Sequence, residues 1–307
     1  MKLLDYINTI NYFSNDFITL TKMNALYRRI EETHNPIFGY SLDLSIDLST
    51  IDKTKKILLS SNPDLDFPRP NNKILKYNDY LPYNHIQQQY LDELPYKHKI
   101  DITQLDNIPE HIKHIYCNSV GKIHPKVSMV PIGRDFKNEN IFQLVDLLHK
   151  NNKKILCYYN CTLPPKNTYH WYGMIRQHLY NIIKTKSFIY TKKCDTHPRV
   201  YSHQDNFSYY DDLSKSKFMI CPRGCGIDTY RMWDCIHMGC IPIVEKYEGY
   251  QQFEDLPVFY INSWSEVNDF TPEMLEQKWN EMMEKDYNYD KLRLSYWENK
   301  ILNSLYS

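Results

Sequence analysis

"SKFMICPRGCGIDTYRMWDCIHMGCIPIVEKYEGY", residues 216–250, holds half of the chain's eight glycines and half of its eight cysteines. Two short apolar runs, "KFMIC" (217–221) and "CIPIV" (240–244), bracket the turn "PRGCGID" and the helical segment "DTYRMWDCIHM", which Gly239 closes. Strands that are apolar on both faces belong to sheets covered on both sides, so the stretch reads as one strand–helix–strand unit of a parallel sheet. The turn carries the chemistry. Gly224 and Gly226 leave the backbone open to a ligand that a Cβ would keep away, and the first amides of a helix starting at Thr229 are a ready anion site. Arg223 and Arg231 flank it. A cation in the first turn opposes the helix dipole unless an anion compensates, so the pair points to a diphosphate. Asp234, one turn further on, is placed to accept hydrogen bonds from ribose hydroxyls. Two blander readings compete. The arginines can pair with carboxylates such as Asp228, or Cys221 and Cys225 with His237 can suggest zinc, although that spacing matches no compact ligand pattern.

Working outward, the same alternation recurs. The segments "KKILCYYN" (153–160), "SFIYT" (187–191) and "LPVFYI" (256–261) read as strands. Residues 168–185 and the segments "NFSYYDDLSKS" and "TPEMLEQKWNEMMEKD" read as helices, the last with Thr271 as N-cap and Pro272 at the first helical position. The chain closes on a helical stripe of Leu292, Tyr296, Ile301 and Leu305. In the first half, 55–61, 111–119 and 126–133 read as buried strands, and the proline-bearing 63–73 as a loop. Ile141, Leu144, Val145 and Leu148 share one helical face. Alternating strands and helices predict an α/β protein with parallel sheets. Two such units meet near residues 136–152, which predicts domains at 1–140 and 141–307, with ligands beyond the carboxyl ends of the strands and in the cleft between domains.

Composition narrows the function. The 307 residues are 42% apolar and carry 37 basic against 37 acidic side chains, a net charge of zero. Nucleic acid is therefore not expected as a partner, because phosphate-backbone binding leaves a basic footprint. No apolar run approaches the ~18 residues that a membrane span needs, and "MKLLDYINTINYFSND" lacks the unbroken apolar core of a signal peptide. Eight cysteines without a CxxC pair make no disulfide framework. Cys117, Cys157 and Cys221 lie in apolar runs, where a thiol acts as a small hydrophobe.

"FMICPRGCGIDTYRMWDCIHMGCIPIV" resembles the signature of the exostosin-like glycosyltransferases, roughly CPRGxGxxSxRxxEAxxxGCIPV. Cys221, Pro222, Arg223, Gly224, Gly226, Arg231, Gly239, Cys240 and Pro242 match it; Thr229 stands for Ser, Asp234 for Glu and Cys235 for Ala. Upstream, "HWYGMIRQHL" places Arg176 where the family has a helix arginine. The resemblance implies a GT-B fold of two Rossmann-like domains facing a cleft, the second binding the nucleotide sugar and the first the acceptor, with the last helix crossing back to the first. It implies inversion at the anomeric carbon by a metal-independent enzyme with no resident cofactor, the nucleotide sugar (UDP-linked by expectation) being a substrate. The acceptor would be a glycan or glycoconjugate hydroxyl. The nucleotide-sugar set is then Arg176, Arg223, Gly224, Gly226, Asp228, Thr229, Arg231 and Asp234. The DxD-like triplets near 43–47 and 64–66 suit no metal site. Family members in animals are anchored in the Golgi; without an anchor the expectation here is a cytoplasmic enzyme, in a host's cytoplasm if the AT-rich codon bias is viral. A general base must serve the acceptor hydroxyl; Asp135 ranks first, with His124 and Asp66 behind, and Tyr77, Tyr80 and Tyr83 are candidates to stack on acceptor sugars. The alternatives are a non-catalytic sugar-nucleotide-binding protein and another GT-B enzyme such as a fucosyltransferase.

Overall fold

The computed structural model describes residues 1–9, 16–34, 37–38, 51–60, 108–134, 148, 152–163, 171–194, 203–224 and 226–306. Asp135, Asp66, Tyr77, Tyr80, Tyr83 and Cys225 lie outside them, as do both DxD-like triplets.

Two parallel sheets organise the chain. The first is built from β1 (Ile37–Phe38), β2 (Ile57–Ser60), β3 (His114–Cys117) and β4 (Val127–Met129), side by side in chain order. Ile57, Leu58 and Leu59 are fully buried although they point to alternate faces, as expected of a strand covered on both sides. The second sheet contains β5 (Ile155–Thr162), β6 (Ile189–Cys194), β7 (Ser216–Ile220), β8 (Ile241–Glu245) and β9 (Phe259–Ile261), in the order β6-β5-β7-β8-β9. Counted from β5 this is 2-1-3-4-5, one of the two common doubly wound orders. The protein is thus mixed α/β with Rossmann-like parallel sheets.

That order locates a crevice. From β5 the chain crosses through α3 (Trp171–Ile183) to β6 on one side; from β7 it crosses through α5 (Tyr230–His237) to β8 on the other. β5 and β7 are neighbours, with Cys157 opposite Phe218. The loops leaving their carboxyl ends diverge, and ligands of open α/β sheets bind in the gap this leaves.

The other helices explain themselves locally. In α2 (Leu20–Thr33) Met23, Leu26, Tyr27 and Ile30 fall at helical spacing and are all buried, and the Thr19 side chain caps the start by accepting from the Lys22 N–H at 3.2 Å. Helix α4 (His203–Ser214) leads into β7, and α6 (Pro272–Met283) has Thr271 as a capping N-cap and Pro272 at its start. Helix α5 ends where Gly239 adopts φ +62°, a conformation that glycine accepts without strain, while the Cys240 N–H reaches the Cys235 carbonyl at 2.9 Å. Leu148 is helical and buried; residues 141–147 lie outside the described set.

The chain ends cross over. Helix α1 (Leu3–Thr9) packs beside the second sheet: Tyr6 stacks on Tyr289 with centroids 3.7 Å apart, and its hydroxyl is 3.4 Å from His237 Nδ1. Helix α7 (Leu294–Tyr306) lies against the first sheet, where the Tyr116 hydroxyl of β3 contacts Ser304 Oγ at 2.6 Å and donates to the Lys300 carbonyl at 3.0 Å.

Candidate functional site

The loop of residues 221–229 leaves β7 at the crevice and turns into α5. Its side chains and those around it come from several elements. Arg176 projects from α3, its main chain fixed from beneath by the Tyr159 hydroxyl of β5, which donates to the Arg176 carbonyl at 2.8 Å. Its Nε donates to the Arg223 carbonyl at 3.3 Å, and its Nη1 lies 3.5 Å from the Thr162 carbonyl at the end of β5. Arg231, in the first turn of α5, donates from Nε to the Asn160 carbonyl at 2.9 Å. Two guanidiniums therefore span the gap between the carboxyl end of β5 and the loop after β7. Arg223 is buried, with its guanidinium 5.7 Å from the centre of the Tyr247 ring.

Gly224 makes room for this. A Cβ there would sit 3.4 Å from Arg176 Nη2, and the Gly224 N–H turns inward to the Gly226 carbonyl at 3.2 Å. Thr229 stands at the N-cap of α5, but its side chain makes no capping bond. Its buried Oγ1 has no hydrogen-bond partner among the described residues. A threonine at an N-cap ordinarily satisfies an amide of the first turn, so an uncapped helix start beside arginines leaves both hydroxyl and amides for an anion.

Asp228 faces another way. Its Oδ2 accepts from the Ile132 N–H at 2.8 Å and its Oδ1 from Trp233 Nε1 at 2.7 Å, while its own N–H donates to Ser119 Oγ at 3.2 Å. Burial pushes its carboxyl up to about 7 from the usual 3.8, against the opposing pull of the N–H donors. Ser119 is itself held at φ +55°, unusual for a residue with a side chain. Asp228 therefore ties the loop after β7 to the loops that follow β3 and β4, so the carboxyl-end loops of both sheets meet at this residue.

Asp234 is also inside. Its Oδ2 accepts from the hydroxyls of Tyr209 and Tyr210 on α4, each at 3.4 Å. Beyond β7 and β8, Cys221, Arg223, Ile227, Val244, Glu245, Tyr247, Tyr250 and Trp264 line a small buried pocket with room for about one water molecule. Sequence reasoning found the loop and its arginines but missed Asn160, Tyr209, Tyr210, Glu245 and Trp264. Glu245, a carboxylate ending a five-residue buried strand, was the readable signal among them.

His124 belongs to the turn entering β4, with its Nδ1 accepting from the Lys126 N–H at 3.1 Å. Cys117, Cys157, Cys161, Cys221, Cys235 and Cys240 are buried free thiols, Cys221 and Cys235 lying 3.7 Å apart between Sγ atoms. Among the described residues no three of His, Cys, Asp and Glu gather as a metal-holding group, and no helix is long and apolar enough to cross a membrane.

The family model of the RXYLT1 C-terminal domain matches residues 133–305, more than half of the chain, and includes the whole second sheet and the arginine loop. The chain belongs to the RXYLT1 C-terminal domain family. This family is related to the exostosin-like glycosyltransferases, in keeping with the motif at 218–244. No curated protein matches the chain. The RXYLT1 C-terminal domain family is glycosyltransferase-like, and both the second sheet and the arginine loop lie inside the matched region.

Proposed function

We propose that the protein is an inverting glycosyltransferase that moves a sugar from a nucleotide-sugar donor, UDP-linked, to a hydroxyl of a glycan or glycoconjugate. Its donor diphosphate sits on the loop 221–229 and the start of α5, between Arg176, Arg223 and Arg231. The observation that carries this reading is Thr229: an N-cap hydroxyl, buried and without a partner among the described residues, at a helix start surrounded by arginines. The residues 141–307 form the donor-binding domain in this reading and 1–140 the acceptor side, in a GT-B arrangement, with Asp135 as general base.

The chemistry follows from charge. When the acceptor hydroxyl attacks the anomeric carbon and loses its proton to the base, the bond to the diphosphate breaks and negative charge gathers on the leaving oxygens. Arg223, Arg231, the Thr229 hydroxyl and the α5 amides are fixed before the reaction, so they stabilise that charge more than they stabilise the bound donor. No divalent cation is required for this step. Asp228 and Asp234 act as supports here: one fixes the loop to the neighbouring sheet, the other anchors α5 to α4 through Tyr209 and Tyr210.

Purified protein incubated with UDP- and GDP-sugars and no acceptor should hydrolyse its own donor slowly, releasing the matching nucleoside diphosphate. Failure to turn over or bind any sugar nucleotide would refute the reading.

A further inference from the structure

Strand β8 ends at Glu245, and the chain then makes the 3₁₀ turn Glu248–Phe253, whose first three residues face two different loops. Glu248 reaches the loop after β3: one carboxylate oxygen pairs with Lys122, and Oε2 accepts from the Ile123 N–H at 3.2 Å. Gly249 lies directly against the same loop. A Cβ there would stand 2.0 Å from the Val120 carbonyl oxygen and 2.8 Å from its carbon, so the contact requires glycine. Tyr250 turns the other way. Its buried hydroxyl donates to the Ile227 carbonyl at 2.8 Å, inside the loop 221–229. Burial holds that phenol well above its usual range, which keeps it a donor. Three consecutive residues thus span from the loop after β3 to the proposed diphosphate loop. A separate link runs through Asp228, which holds Ser119 Oγ and the Ile132 N–H. That link stops at Ser119; Val120, Lys122 and Ile123 are held by the 3₁₀ turn.

Close-packed contacts of this kind shift between discrete arrangements rather than deform continuously. Sugar transfer needs the acceptor hydroxyl within about 3–3.5 Å of the anomeric carbon, and in the reading above, on which this inference rests, the two approach from opposite sides of this seam. We propose that Glu248, Gly249 and Tyr250 form a relay that couples occupancy of the diphosphate site to the ordering of residues 120–123, so that the acceptor-side loop is set when the donor is bound. Tyr250 acts through Ile227 and is a positioning residue for the transfer. Coupling of this kind is reciprocal, so the relay also contributes to nucleotide affinity.

Two backbone amides report the two links separately, Ile123 for the relay and Ile132 for Asp228. Hydrogen exchange resolved at single amides of the full chain, with and without UDP, reads both. In native protein UDP should slow exchange at Ile123 by about fivefold or more, the lower end of ordinary coupling between sites. In Tyr250→Phe, which removes only the hydroxyl, that gain should fall below about twofold while the gain at Ile132 stays as in native protein; UDP affinity should drop by no more than the protection lost at Ile123. Glu248→Ala removes the Ile123 acceptor at a half-exposed position and carries the test alone if Tyr250→Phe does not fold; its gain at Ile123 should vanish. Slowing at Ile132 alone in native protein would overturn the relay. So would a gain at Ile123 that survives the substitutions, or a loss at both amides together, which would make Tyr250 a support of the whole loop. Native protein that binds no UDP by calorimetry fails the diphosphate reading and this one with it, an outcome set apart because neither amide then responds.

Discussion

Asp228 is where residue-scale forces are most finely opposed. N–H donors from Ile132, Trp233 and Thr229 favour its carboxylate, yet burial raises it to about 7 from 3.8. The sign follows from proton binding. Between pH of about 3.8 and 7 the folded state holds a proton that the unfolded state has released, so this group's contribution to stability falls as pH rises, and the cost is complete above 7. Asp228→Asn does not titrate. The stability of native protein relative to this variant should therefore increase by roughly 1 kcal/mol per unit as pH is lowered from 7 to 5, as read from paired denaturant titrations. A constant difference across that range would refute the assignment. At Gly224 the expectation concerns a guanidinium. Gly224→Ala places a methyl 3.4 Å from Arg176 Nη2, a contact Arg176 can accommodate by shifting. Nucleotide affinity should drop several-fold with little change in melting temperature; an unchanged affinity would mean that Arg176 does not reach the ligand. The glycines and arginines were legible because their types are unusual for a strand-to-helix turn. The partners of Asp228 and Asp234 were not, because Ile132, Ser119, Tyr209 and Tyr210 arrive from other elements, and nothing in local spacing encodes a hydrogen bond to a residue 96 or 109 positions away.

Among the elements, the β-strands and helices of residues 153–306 could be read from apolar runs and caps. Helix α6 shows why: Thr271 accepts from the Met274 N–H at 3.2 Å, as a Thr-Pro start requires. Helices α1 and α2 and strand β1 were not assigned. Helix α2 carries a readable stripe at Met23, Leu26, Tyr27 and Ile30, whereas β1 is two residues long and owes its existence to pairing with Ile57 and Leu58. The start of the chain illustrates the same limit, since Tyr6 of α1 packs on Tyr289 and reaches His237, both far along the chain. Trp297 and Ile301 in α7 are buried, and Tyr116 of β3 ties to its last turns. The exposed Arg29–Glu298 pair between α2 and α7 adds little, as surface ion pairs do. Truncation before Leu294 should therefore strip the cover from β2 and β3. Hydrogen exchange is expected to show lost protection at 57–60 and 114–117, with protection retained in β5, β7 and β8. Uniform loss across both sheets would mean that α7 supports the whole fold and not one sheet.

On the scale of the whole molecule, the loops after β3 and β4 meet the loop after β7 through Ser119, Ile132 and Asp228, and the Lys122–Glu248 pair and the Ile123 N–H on Glu248 extend that seam. Any acceptor approaching the first sheet's carboxyl end arrives beside the arginine loop. If arginines and amides alone stabilise the departing diphosphate, transfer should proceed undiminished in EDTA. Abolition by the chelator and rescue by manganese would instead assign the charge stabilisation to a cation. The parallel sheets followed from the alternation of strands and helices, and the crossing of the last helix was expected from the family resemblance; the strand order and the packing of α1 on the second half were not read, because their partners are set by tertiary contacts.

The central claim, a diphosphate held at the start of α5, is tested most directly by calorimetric titration of UDP into native protein, Arg223→Ala and Arg231→Ala. Each substitution should weaken binding by about 1.5–3 kcal/mol, the range of a charge-assisted hydrogen bond, while melting temperature without ligand moves little in the half-buried Arg231 variant. UDP affinity equal to that of native protein in both folded variants would contradict the account.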